Sequence, residues 1–260
     1  MRATANKIGQ EIKLMSDSTF VVTNQLLCTL IELTDKRLLP HLEEISLTAG
    51  QILYESGAEI TDVYFPQNAR FSLLLVMGDR STIEVISIGR EGFAGLPVIF
   101  GSNLTNTRLV VQMSGKALKL PGDIIKQEFN QEGDLQKLLL LYIQAQLSQI
   151  SQITACRSHH EIEQRLARWL LLIYDNVENN TLPLTQKFIS SMLGVRRASI
   201  TEIAISFQKQ GIIQYSRGQI TLLDRSQLES IACECYSKIK AEYKSLLEPI
   251  LTNTNRINIK

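Results

Sequence analysis

Two adjacent arginines followed by hydroxyl side chains, Arg196-Arg197-Ala198-Ser199-Ile200-Thr201, are the most chemically suggestive run in this chain. A guanidinium fork pairs with the O6 and N7 edge of guanine, and Ser or Thr hydroxyls reach bases or phosphates, so the run suits the major groove of double-stranded DNA. From Lys187 to Thr201 the charged residues are Lys187, Arg196 and Arg197, apart from any acid. The whole chain of 260 residues carries a net charge of only +1. The pointer to nucleic acid is therefore a local patch and not bulk charge. A solvated helix face carries such a patch equally well, so charge alone leaves both readings open.

The elements around the patch narrow the choice. Leu184 to Glu202 reads as helix, tight turn, helix. Thr185 caps the first helix, whose buried positions are Phe188, Ile189 and Met192. Leu193-Gly194-Val195 makes the turn, where glycine permits a left-handed backbone. The second helix buries Ile200, Ile203 and Phe207, so its first turn presents Arg196, Arg197, Ser199 and Thr201. Thr185, Gln186 and Lys187 are placed for phosphate contacts from the preceding helix. Gly211–Tyr215 and Gln219–Leu223 then read as two short strands around Ser216-Arg217-Gly218, a β-wing with Arg217 at its tip for backbone phosphate. A helix-turn-helix pattern alone is weak. Helices, basic face and wing in that order are much more specific.

Upstream, residues 1–23 read as a loose lead-in. Asn24–Leu39 has the spacing of an amphipathic helix ended by Pro40. From Leu42 to Pro121 short β-type segments alternate with turn signals, among them Gly78-Asp79 between Phe71–Met77 and Thr82–Ile88. This pattern predicts a sandwich or barrel. A long run free of Pro and Gly follows, in which Leu139, Ile143, Gln146, Ile150 and Ile153 make the a/d seam of a two-stranded coiled coil. The expected architecture is α+β: an antiparallel β-barrel (jelly-roll) sensor domain over 24–132, a dimerisation helix over 133–158 and a winged helix-turn-helix over 159–245. Residues 246–260 are expected to form a tail.

Other chemistries find little support. Apolar runs such as Leu138–Leu141 fall far short of the roughly 18–20 residues of a membrane span. Four scattered cysteines do not make a disulfide framework and fit a reduced, cytoplasmic setting. Cys233 and Cys235, two apart in an expected helix, point to different faces and read as packing residues. Cys28 stands alone, and His159-His160 reads as a polar hinge. A metal-dependent barrel enzyme needs a His and carboxylate cluster, yet only His41 lies near the expected strands. No catalytic residue, cofactor or metal is expected. A non-catalytic module that senses a ligand and contacts protein is the remaining alternative.

With these segments laid out, residues 24–223 resemble the Crp/Fnr family of bacterial transcription regulators. The resemblance is carried by Gly89-Arg-Glu-Gly-Phe93, by Glu163-Gln-Arg-Leu-Ala-Arg-Trp-Leu-Leu171 and by Leu184–Ile200. It implies a homodimer on double-stranded DNA, with Arg197 in the position of a guanine-reading arginine, and contact with RNA polymerase if the protein is an activator. Ala198 replaces the glutamate that commonly follows that arginine. Cyclic-AMP-binding members carry Gly-Glu and, some nine residues on, an arginine for the cyclic phosphate. Here Gly95 is followed by Leu96, the arginine position falls on Thr105 or Asn106, and Arg108 lies further on. The resemblance thus implies an effector pocket around these five residues, and the departures imply that cyclic AMP is not its ligand, leaving either no effector or an unrelated, less anionic one.

Overall fold

The protein is described by a computed structural model covering residues 21–177 and 180–257. The expected lead-in lies outside the described residues except for 21–23. The first helix, α1 (Gln25–Leu33), begins where Asn24 accepts a hydrogen bond from the Leu27 N–H, and it buries Leu26, Leu27 and Leu30. It ends earlier than its spacing predicts. The Thr34 hydroxyl turns back onto the Leu30 carbonyl at 2.9 Å. Asp35 and Lys36 then take φ values of 48° and 68°, which a continuing right-handed helix excludes. Pro40 consequently sits in a separate 3₁₀ turn, Leu39–His41.

Seven strands follow: β1 (Glu43–Leu47), β2 (Ile52–Tyr54), β3 (Asp62–Pro66), β4 (Arg70–Val76), β5 (Thr82–Ile88), β6 (Thr107–Met113) and β7 (Gly115–Pro121). They pair antiparallel in two sheets, ordered β1-β7-β3 and β2-β6-β4-β5. The expected jelly-roll is therefore a sandwich: among the described residues no pairing joins the sheets into a closed barrel. Val63, Phe65, Phe71, Ile86, Leu109 and Leu118 fill the space between them. A short helix, α2 (Pro97–Phe100), interrupts the run between β5 and β6, and α3 (Gly122–Asn130) leads out of β7.

The long helix α4 (Asp134–His159) spans 26 residues, as the absence of Pro and Gly predicts. Tyr142 anchors it to the sandwich. Its hydroxyl donates to the Phe93 carbonyl and accepts from the Phe93 N–H, both at 2.9 Å. The ring stacks on Phe93, which stacks on Phe65. This contact explains Gly92, since a Cβ there would lie 2.6 Å from Tyr142 Cε2.

The coiled-coil register needs correction. Leu139, Gln146 and Ile153 are 0%, 4% and 6% exposed, packed against their own chain. Gln146 donates to the Tyr142 hydroxyl. Leu140 and Leu147, one position along, are 50% and 60% exposed. The helix carries apolar residues on two sides, and the spacing alone cannot tell which side the sandwich takes.

The C-terminal part comprises α5 (Ile162–Tyr174), β8 (Thr181–Leu182), α6 (Gln186–Leu193), α7 (Arg197–Lys209), β9 (Ile213–Ser216), β10 (Gln219–Leu222), α8 (Arg225–Ile231) and α9 (Cys235–Ile257). Two sequence expectations fail here. The boundary at 245/246 falls inside α9, because Leu247 is buried against the sandwich core. Cys233 lies ahead of α9 and not within a helix. α9 runs antiparallel along α4, with Tyr243 donating to Gln149 Oε1 at 2.9 Å and Ser148 donating to Glu242 Oε1 at 3.1 Å.

Candidate nucleic-acid interface

The helix-turn-helix forms as its residues predict. Thr185 Oγ1 accepts from the Phe188 N–H at 3.2 Å and caps α6. Gly194 closes α6 in the left-handed conformation, φ 65° and ψ 43°. A Cβ there would also lie 2.7 Å from Ile83 Cδ1 of β5, so this glycine meets both a backbone and a packing demand. Arg196 is the extended residue before α7, which buries Ile200, Ala204 and Phe207. Ile203 is only partly covered.

The polar face is built by a small network. The Thr201 hydroxyl donates to Gln186 Oε1 at 2.8 Å, which ties α7 to the first turn of α6. The Gln186 N–H donates to the Tyr215 hydroxyl at 3.1 Å, which ties α6 to the wing. At the wing tip Arg217 and Gly218 have φ values of 49° and 77°, the paired positive angles of a tight hairpin turn. A Cβ on Gly218 would lie 3.2 Å from Thr185 Cγ2, so the tip sits beside the α6 cap. Among the residues expected to touch DNA, Gln186 and Thr201 thus satisfy each other, and Ser199 is half-buried. The side chains of Lys187, Arg196, Arg197 and Arg217 are exposed and make no hydrogen bond or ion pair among the described residues. Sequence reasoning missed Tyr215. Its place opposite Ile220 in the wing's two-stranded ladder was the available signal.

Residues 164–231 match the Crp-like helix-turn-helix domain family. The chain also superposes on FixK2 from Bradyrhizobium japonicum with a TM-score of 0.64 at 13% identity, over 74% of this chain and 98% of that one. The chain has the fold of Crp/Fnr-type proteins, with a Crp-like helix-turn-helix domain at its C-terminal end. A protein from Eubacterium rectale described as belonging to the crp/fnr family gives a TM-score of 0.63 at 19% identity, covering 76% and 93%. A CRP/FNR-family transcriptional regulator from Thermus thermophilus gives 0.60 at 18%, covering 73% and 98%. No curated protein matches the chain in sequence. Among the described residues no helix is long and apolar enough to cross a membrane.

The five residues expected around a Crp/Fnr effector pocket do not assemble an anion site. Gly95 has φ 115° and packs against Val63, where a Cβ would lie 2.8 Å from Cγ1. Leu96 is half-buried ahead of α2. The Thr105 hydroxyl is engaged with Thr107 Oγ1 at 2.8 Å. Asn106 is exposed, and its carbonyl accepts from Ser56 Oγ at 2.9 Å. Arg108 Nε donates to Glu55 Oε2 at 2.7 Å. The only guanidinium of the group already has its carboxylate.

Proposed function

We propose that this regulator binds an inverted-repeat DNA site as a homodimer, with α7 in the major groove and the wing on the backbone. The observation that carries the reading is the set of three exposed, unpartnered arginines, Arg196, Arg197 and Arg217, on a surface fixed by Gln186, Thr201 and Tyr215. Arg197, in the first turn of α7, reads a guanine edge. Arg196, with Lys187 and Arg217, holds phosphate, and the dipole of α6, capped by Thr185, favours an anion at its N-terminus. Half-sites then lie about 34 Å apart, one turn of the duplex. The dimer seam runs through Leu140, Ile143, Leu147 and Ile150, the stripe of α4 that its own chain leaves at least partly uncovered.

Cyclic AMP is not the effector in this reading. Leu96 offers no acceptor to a ribose hydroxyl, and Arg108 is held by Glu55. The protein has no catalytic role, and it contacts RNA polymerase if it activates. The test is selection of genomic fragments by the purified protein, followed by footprinting. A protected inverted repeat with a centre-to-centre spacing of one helical turn supports the reading. Failure to retain any fragment over bulk DNA at moderate salt overturns it in favour of a module that acts through protein contacts.

A further inference from the structure

Four donor atoms from two distant stretches converge where α4 meets the C-terminal domain. Cys156 and His160 lie four residues apart at the C-terminal end of α4, and Cys233 and Cys235 flank the entry to α9. Cys156 Sγ is 3.5 Å from Cys233 Sγ, and Cys235 Sγ is 3.6 Å from His160 Nδ1. All four atoms lie within 4.8 Å of one another. A tetrahedral ion with metal–sulfur bonds near 2.3 Å separates its ligands by about 3.8 Å, so a modest contraction completes the shell. The sequence objection rested on two cysteines in one helix. It fails because Ala232 is extended (ψ 143°) and Cys233 precedes the first turn of α9, leaving both sulfurs free to face one point.

The surroundings suit a metal better than four idle side chains. Cys156 and Cys235 are fully buried and Cys233 is 4% exposed. His160 Nε2 lies 3.0 Å from Glu234 Oε2, which fixes the ring and leaves Nδ1 toward the sulfurs, as carboxylates do behind ligating imidazoles. Gln152 Nε2 donates to Cys235 Sγ at 3.0 Å, the kind of bond that stabilises a thiolate. Arg165 and Arg168 are 8% and 4% exposed, and each has a buried Nε without a partner. Three thiolates and a neutral imidazole around a dication leave one net negative charge. Two buried guanidiniums without full partners supply what offsets it.

We propose that Cys156, His160, Cys233 and Cys235 form a closed tetrahedral site for one zinc ion, pinning the start of α9 to the end of α4. Four protein ligands leave no open position, so the site is structural and not catalytic. Binding releases the three thiol protons to solvent and forms three zinc–sulfur bonds and one zinc–nitrogen bond. A multi-iron cluster needs its ligand atoms much further apart than these. The ion would fix the segment that follows α4, where the chain passes through His160 and Glu161 into the DNA-reading domain. The proposal stands independently of DNA binding.

Full-length protein purified under reducing conditions without chelator should contain one zinc per chain by mass spectrometry. After removal of zinc, titration with cobalt(II) should give intense visible bands of a tetrahedral site and a thiolate-to-cobalt charge-transfer band, saturating at one equivalent. Cys233→Ser and His160→Ala should lose stoichiometric metal on dialysis, His160→Cys should retain it, and Cys28→Ser should match wild type. The wild-type cobalt spectrum stands even if a variant fails to fold. Weak octahedral cobalt bands overturn the proposal. So does alkylation of all four thiols at equal rates in the zinc-loaded protein, or a Cys156–Cys233 disulfide as the state formed in cells.

Discussion

Trp169 donates its indole N–H to Glu84 Oε1 at 2.9 Å, joining α5 of the DNA-reading domain to β5 of the sandwich. Glu84 is 5% exposed and also accepts from Ser72 and Gln112. Burial pushes its carboxyl up, against the hydrogen bonds from Ser72 and Trp169 and the charges of Arg70 and Arg168. Leu74, Val110 and Met113 of the sandwich share one apolar cluster with Leu166, Trp169 and Leu170. The two domains therefore meet across a buried apolar contact with a polar pin through it.

Removing that pin should be costly. Glu84→Ala strands three donors and removes the carboxylate charge that acts on the buried Arg70 and Arg168, so urea unfolding should show a loss of about 3–5 kcal/mol. Trp169 is the only tryptophan, and its fluorescence should shift to the red in the folded variant. Unchanged stability would mean that the contact carries no weight.

Reading and holding should separate at two arginines. Arg197→Ala should cost about 1–3 kcal/mol on the selected site and little on scrambled duplex. Arg217→Ala should weaken both alike and lower the salt slope by about one unit. Titrations at several salt concentrations distinguish the two. Equal losses on both duplexes from Arg197→Ala would displace α7 from the reading role.

The register of α4 has its own test. Leu147→Glu should yield a monomer by sedimentation with an unaltered unfolding midpoint at matched low concentration. Leu139→Ala should cost about 2–5 kcal/mol of stability, since its side chain is fully buried, and leave assembly intact. The reverse pattern would restore the register read from spacing alone.

Asp175 makes stability depend on acid. Burial pushes its carboxyl up, but hydrogen bonds from Lys240 and Arg225 outweigh this and hold it below the usual value. The pairs measure 2.5 Å to Arg225 and 2.9 Å to Lys240. A depressed folded value means stability that is present above the ordinary Asp range, near 3.9, and lost as pH falls through the folded value. Asp175→Asn should lower the melting temperature at pH 7 and flatten the fall below about pH 4. A variant with the same acid limb as wild type would remove Asp175 from that role.

Calorimetry with cyclic AMP should show no binding at micromolar concentration. Low-micromolar binding that also tightens DNA binding would overturn the assignment, with Arg108 turning from Glu55 to the phosphate as the first place to look.

Local rules carried much of this molecule. Thr185, Gly194 and the Arg217-Gly218 tip act through their own backbones or near neighbours, and each sits as its residue type dictates. What the sequence hid depends on partners distant along the chain. Leu139 and Leu140 are indistinguishable until the sandwich chooses one. Leu247 ends no helix because a core far upstream covers it. Cys233 and Cys235 looked inert because their companions, Cys156 and His160, lie more than seventy residues earlier. Spacing describes one stretch at a time, and a site assembled from two stretches has none.

The two-sided helix has a last consequence. Because α4 turns Leu139, Tyr142 and Ile153 inward while Leu140 and Leu147 remain uncovered, one chain completes this core without a second copy. In the proposed dimer a single chain can therefore fold alone, and pairing of folded chains adds stability that grows with concentration by mass action. On that proposal, the amount of protein a cell makes sets the fraction of paired molecules, and the unpaired remainder stays folded.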